Sequence, residues 1–253
     1  MFDILFSAFL ISVILLGIHS YFGIEIIKRG IIFTDLAVGQ TSAIGAAISL
    51  LILEGAYIYP ISLVFSLLAG LLISIAVKKV HNVEAFIGLL YAFSLALVFI
   101  LLSKSPHGAE EFQNLMATDI IFTPKEEIYK TGSIYLVLGI LTYFSLNKLK
   151  GNLKELVFFL LFSITVTSSV KLAGVLVVFS LLISPAIISS YIPKLNRVTS
   201  AWIFGTIINV LAIYVSYQFD LPTGYTIVAF HTFIAGLMFM FFEKKNITSN
   251  ENS

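Results

Sequence analysis

Long apolar runs separated by short polar interruptions set the pattern of this chain. Six runs stand out at once, over residues 4–24, 31–53, 58–77, 85–102, 198–217 and 225–242. Each is close to the roughly 20 residues that a helix needs to cross about 30 Å of hydrocarbon. The first ends at Lys28 and Arg29, the second at Glu54 and Gly55, and the third at Lys78 and Lys79. A further helix is predicted after the polar segment 103–123. Thr123 is placed to cap it, Pro124 suits its first turn, Glu126 completes a capping box, and the apolar pattern carries it to Leu146.

The stretch 156–192 has no such clean ends. As one helix of 37 residues it would be about 55 Å long, too long for a single crossing. Polar residues interrupt it at Thr165, Thr167, Ser168, Ser169 and Lys171, and basic residues flank it at Lys148, Lys150 and Lys154 and again at Lys194 and Arg197. Flanks rich in Lys and Arg face the cytoplasm, so the stretch is predicted to cross twice, turning near Ser168 to Lys171. About nine transmembrane helices result, with the N-terminus outside and the C-terminus inside. Eleven of the fifteen Lys and Arg then fall on the cytoplasmic side. The fold class is an all-α membrane protein, a polytopic helical bundle with one transmembrane domain over 1–245 and a frayed polar tail over 246–253.

Composition agrees: 58% of the residues are hydrophobic and only 11% charged, against roughly 25% charged in an average soluble domain. A net charge of +1 gives no electrostatic reason for a nucleic-acid partner. With no cysteine, disulfides and thiolate metal sites are excluded, and a metal on its way through must meet O or N ligands. The N-terminal run has no basic flank and no small-residue cleavage site, so it is read as a retained span. No nucleophile and base motif, phosphate-binding glycine loop or paired intramembrane carboxylates point to an enzyme.

Asp35 is the first candidate for chemistry. A carboxylate in hydrocarbon costs roughly 2.5–3.5 kcal/mol on insertion scales, so such a residue faces a bundle interior, a partner or a wet pathway. A second reading makes it a helix cap about one turn inside the boundary. His19, late in the first span, and His231, early in the last, are intramembrane imidazoles that either pack within the bundle or act as ligands. Ser180 and Ser184 lie one turn apart before Pro185, whose missing amide frees a carbonyl and predicts a kink and a pathway wall. His107, Glu110 and Glu111 lie in the extracytoplasmic segment, either as a solvated charged face or as a contact for a binding protein and a collector of cations.

Four segments in order resemble the membrane subunits of zinc, manganese and iron ABC importers. They are Arg29-Gly30 through Asp35, Ala85-Phe86-Ile87-Gly88, the run Ser168-Ser169-Val170-Lys171-Leu172-Ala173-Gly174 continuing to Pro185-Ala186, and the turn Asp220-Leu221-Pro222-Thr223-Gly224. The resemblance extends from about residue 16 to 242. It implies a permease subunit in a bacterial-type inner membrane that dimerises, receives a divalent cation from an extracytoplasmic solute-binding protein, and is driven by a cytoplasmic ATP-binding subunit. The cation is cargo and no cofactor is held permanently.

Two departures from that family stand out. Many members carry a His four residues after the Asp, on the same helical face; here that position is Gly39, and the neighbouring polar residue Gln40 offers only an amide oxygen. The cytoplasmic segment that docks into the ATPase is shortened to 147–155, which leaves Lys148, Lys150 and Lys154, or the loop from Lys78 and Lys79 to Glu84, to face the partner. The short segment also supports a secondary transporter without an ATPase, and a permease for a metal chelate or cofactor is a further alternative.

Overall fold

Ten helices and no strand make up the described part of the computed structural model, which covers residues 2–118, 120, 123–192 and 194–250, with side chains from 5 to 241. They are α1 (Phe2–Arg29), α2 (Thr34–Ile52), α3 (Ile58–Lys79), α4 (Val83–Leu102), α5 (Gly108–Met116), α6 (Lys125–Lys148), α7 (Gly151–Ala173), α8 (Val175–Ser190), α9 (Arg197–Phe219) and α10 (Thr223–Asn250). Seven are long and apolar enough to cross a membrane: α1, α2, α3, α4, α7, α9 and the part of α10 over Thr223–Phe241. The expectation of a polytopic helical bundle holds. α8, with 16 residues, is an apolar helix of shorter length.

The bundle is built around α2 and α8. α2 packs on α3, α4, α7 and α8, while α8 also touches α1, α9 and α10. Of the membrane-length part of α2, 78% is buried, against 56% or less in the other six. Small residues make this possible. A Cβ on Gly45 would fall 2.7 Å from the Ser62 backbone of α3, and one on Gly23 of α1 would strike the Leu182 carbonyl of α8. Where lipid tails are as apolar as leucine, such close backbone approach supplies the packing energy that water expulsion supplies elsewhere.

At one end of the bundle, Arg29 joins α1 to α7. Its guanidinium meets Glu25 at 2.7 Å and Glu155 at 3.1 Å and lies 4.0 Å over the Phe158 ring. The three charged side chains are only 15–24% exposed. Arg29→Met is therefore expected to destabilise the protein by on the order of 2 kcal/mol, below the 3–5 kcal/mol of a fully buried pair because water still reaches Glu155. Thermal unfolding in detergent micelles checks this; an unchanged midpoint would reduce the cluster to ordinary surface pairs.

Several local expectations are corrected. The chain does not turn at Ser168 to Lys171; α7 runs through these residues and the break falls at Gly174. Hydroxyls that look like turn formers here bond within the bundle: Ser168 and Ser169 donate to the Thr165 carbonyl at 3.0 and 2.8 Å, and both meet the Tyr135 hydroxyl. Gly174, at φ 85° and ψ 163°, has the backbone freedom that the break requires.

The capping box of α6 does not form either. Pro124 occupies the cap position without a side-chain bond, and Thr123 donates to the Ile120 carbonyl at 3.0 Å. α6 reaches Lys148 and α7 starts at Gly151, so the segment 147–155 contains a link of only Leu149 and Lys150. Pro185 lies inside α8, which continues to Ser190.

The polar segment 103–123 contains α5, whose Phe112, Leu115 and Met116 recur at helical spacing. The backbone of α10 continues through 246–250, where the sequence suggested a frayed tail. Residues 251–253 lie outside the described part, as do the side chains of Lys244 and Lys245.

Candidate functional site

The first turn of α2 brings Asp35 into the bundle. Thr34 donates to the Ile31 carbonyl at 2.6 Å, and the Phe33 amide donates to the Glu84 carboxylate at 3.1 Å. The loop before α2 is thus tied to the start of α4. Asp35 is 1% exposed, and neither carboxylate oxygen has a hydrogen-bond partner of good geometry; the amides of Asp35 and Leu36 lie beside it. A carboxylate enclosed in this way carries a proton or attracts a cation, because an isolated buried charge is far more costly than a paired one.

Gln40 lies further along the same helix, also buried. Its amide nitrogen donates to the Met116 sulfur at 3.4 Å, while its Oε1 has no partner. Gly39, where an imidazole would complete the family pattern, packs against Val170 and Val175: a Cβ there would already lie 3.2 Å from Val175. Beyond Gln40, α2 borders a cavity of about 490 Å³ shared with α3, α5 and α7. Its polar lining includes Ser42, Ser62, Glu111, Asn114, Thr118 and Thr167. Lys171 also borders it and reaches Glu127 at 3.8 Å.

The other candidates are spread over neighbouring helices. Ser180 and Ser184 are buried on α8 beside α2, with the Ser180 hydroxyl donating to the Val177 carbonyl at 2.9 Å. His19 lies on α1, which packs on α6, α8 and α9. Its Nδ1 donates to the Leu15 carbonyl at 2.9 Å and its Nε2 is unpartnered. The His231 Nε2 donates to the Asn209 Oδ1 at 2.9 Å, leaving His231 Nδ1 and Asn209 Nδ2 without partners. Asn209 is a lone amide in an apolar run, the same signal that marks Asp35, and sequence reasoning passed over it.

No hydrogen bond joins Asp35, Gln40, His19, Ser180 and Ser184 to one another among the described contacts. The described residues also contain no group of three or more His, Cys, Asp or Glu able to hold a metal. The arrangement offers one buried carboxylate with amide and hydroxyl oxygens strung along α2 and α8. Such a set suits weak, transient cation contact rather than a tight cage.

The two ends of the bundle differ. The Arg29 cluster, exposed Lys78 and Lys79 and the link at Lys150 gather at one end with Lys148 and half-buried Lys154. At the other end, His107 precedes α5 and accepts the Glu111 amide at 3.0 Å through its carbonyl. Glu110 is exposed there, and one Glu111 oxygen is buried without a partner.

The model of the ABC 3 transport family matches residues 1–242. A "Probable iron transport system membrane protein" of Haemophilus influenzae is 24% identical over 96% of this chain and 92% of its own length. A "Probable metal transport system membrane protein" of Thermotoga maritima is 26% identical over 79% and 78%. The solved structure of PsaBC from Streptococcus pneumoniae in complex with Fab superposes with a TM-score of 0.74 at 19% identity, covering 92% of this chain and 90% of the other.

Proposed function

The chain belongs to the ABC 3 transport family, and we propose that it is the membrane-spanning permease subunit of an ATP-driven importer of a divalent cation such as zinc, manganese or iron. The observation that carries this reading is Asp35, a buried carboxylate without a partner in the most enclosed helix. In this reading the chain crosses nine times as α1–α4 and α6–α10, with α5 on the outer side. The shorter α8 lies at the centre, where protein rather than lipid surrounds its ends. The end that bears the Arg29 cluster then faces the cytoplasm, as the excess of Lys and Arg favours.

The permease works as a homodimer, takes cargo from an extracytoplasmic binding protein near α5, and engages an ATP-binding subunit on its inner face. A two-residue link between α6 and α7 offers no docking helix, so the loop after Lys79 takes that role. Glu84, in the first turn of α4 that follows this loop, accepts the Phe33 amide two residues before Asp35, which lets a push on the loop reach the carboxylate.

The test is uptake of radiolabelled manganese, zinc or iron by proteoliposomes holding the permease with its ATP-binding subunit and binding protein. Accumulation that requires ATP is expected. ATP-independent accumulation by the permease alone, the outcome that the short link favours if no ATPase docks, would make it a secondary transporter. No accumulation of any of the three metals would end the metal-import reading.

A further inference from the structure

Beside Trp202 the bundle surface opens into two adjoining hollows, neither of which is lined by Asp35, Gln40, His19, Ser180 or Ser184. One, of about 690 Å³, runs between α1, α6 and the start of α9; the other, of about 570 Å³, lies between α1 and α9. Both are lined mainly by apolar side chains, and both include Val13, Gly17 and Trp202. The indole lines both, held by its Nε1 donating to the Gly17 carbonyl at 3.0 Å. Glycines make the depth, since a Cβ on Gly17 or Gly139 would meet nothing within 4 Å.

The larger hollow changes character along its length. Near the ends of α1 and α6 that carry the basic residues, its lining turns polar at Tyr21, Tyr143, Asn196 and Thr199. Exposed cations border the same end: Lys148 closes α6, and Lys194 and Arg197 flank Asn196. Aromatic and hydroxyl groups at this level sit where a bilayer passes from tails to headgroups.

We infer that this pair of hollows is a binding site for one anionic glycerophospholipid, with an acyl chain on each side of Trp202 and the phosphate held among Lys148, Lys194 and Arg197. Two apolar limbs that share Trp202 match a two-chain lipid, and the basic rim selects its charge. Basic pockets between membrane helices recognise anionic headgroups in this way. A second copy of the chain fits less well, since it would have to bring a complementary anion to that rim and two apolar wedges to the hollows.

Trp202 is the chain's one tryptophan, so its fluorescence reports on the site directly. The purified permease is placed in nanodiscs of unlabelled neutral lipid containing increasing fractions of either brominated phosphatidylglycerol or brominated phosphatidylcholine. Quenching by the anionic lipid is expected to reach half its maximum at a several-fold lower fraction than quenching by the neutral one. Replacing both Lys194 and Arg197 by Gln should bring the two curves together, and Gly139→Leu, which fills the larger hollow, should lower the quenching. Superimposable curves in the unmodified protein would overturn the proposal by showing ordinary boundary lipid. Absence of quenching by both lipids would show the face covered by protein and overturn it equally. The comparison of the two lipids on the unmodified chain decides the matter even if a variant fails to fold, and it does not depend on transport.

Discussion

Gly174→Ala is expected to melt well below the unmodified permease. Gly174 is the link between α7 and α8, at a combination of φ and ψ that is essentially closed to residues with a side chain. A Cβ there would also lie 2.6 Å from the Ala117 Cα and 2.7 Å from the Met116 carbonyl carbon, which are backbone atoms with no side chain to swing away. The adjoining Ala173 carbonyl accepts the Thr118 amide at 2.9 Å, so the end of α5 is held against this link. Gly224, at the start of α10, approaches the same place: a Cβ on it would fall 2.5 Å from the Thr118 carbonyl.

Backbone strain alone accounts for about 1–3 kcal/mol, and the forced separation of α5 adds to it. A loss on the order of 3 kcal/mol is a large part of a domain's usual stability. The measurement is the melting of the purified protein in detergent, followed by size-exclusion recovery. Gly139→Ala serves as the control, because its Cβ meets open space and alanine is about 1 kcal/mol the better helix former. The prediction fails if Gly174→Ala melts with the wild type; the contact between α5 and the α7–α8 link would then be loose rather than a fixed seat.

That seat shows where sequence reasoning reached and where it stopped. The start and end of α2 were legible to within about three residues, because glycine and charged residues punctuate an otherwise apolar run. The two-helix nature of 156–192 was legible from the length of the stretch together with its basic flanks. The position of its turn was not, because Ser168 and Ser169 carry the local chemistry of a turn, and only the facing Tyr135 and the i−3 and i−4 carbonyls reveal that helix satisfies them. Gly174 sat in view as a motif glycine, yet its reason is a neighbour more than fifty residues away in sequence, which no window along the chain contains.

The same division runs through the candidate site. Asp35 could be read because an acid in hydrocarbon demands an explanation. That Gly39 packs against Val170 and Val175, that Gln40 meets Met116 of the unforeseen α5, and that His19 lies on a helix packed against α6, α8 and α9 are all consequences of tertiary packing. Periodicity along one helix carries no record of which helix faces it.

Asp35→Asn should separate transport from stability. Asparagine keeps the shape of the side chain and replaces the carboxylate by a neutral amide. If Asp35 serves as a passing ligand for the cation, the variant loses a contact at least as strong as a hydrogen bond to a charged group, about 1.5–3 kcal/mol, which corresponds to roughly ten- to a hundredfold in affinity. ATP-driven uptake should therefore fall by at least about tenfold at limiting metal. Melting should hold or rise, since an unpaired buried carboxylate has been replaced by a neutral group. Were Asp35 only complementing the dipole of α2, a contribution of about 0.3–1 kcal/mol, uptake would survive the change while stability slipped slightly. Measuring both on one preparation discriminates the two roles: uptake lost with melting intact makes the carboxylate part of the cation's route, and uptake retained removes it from that route.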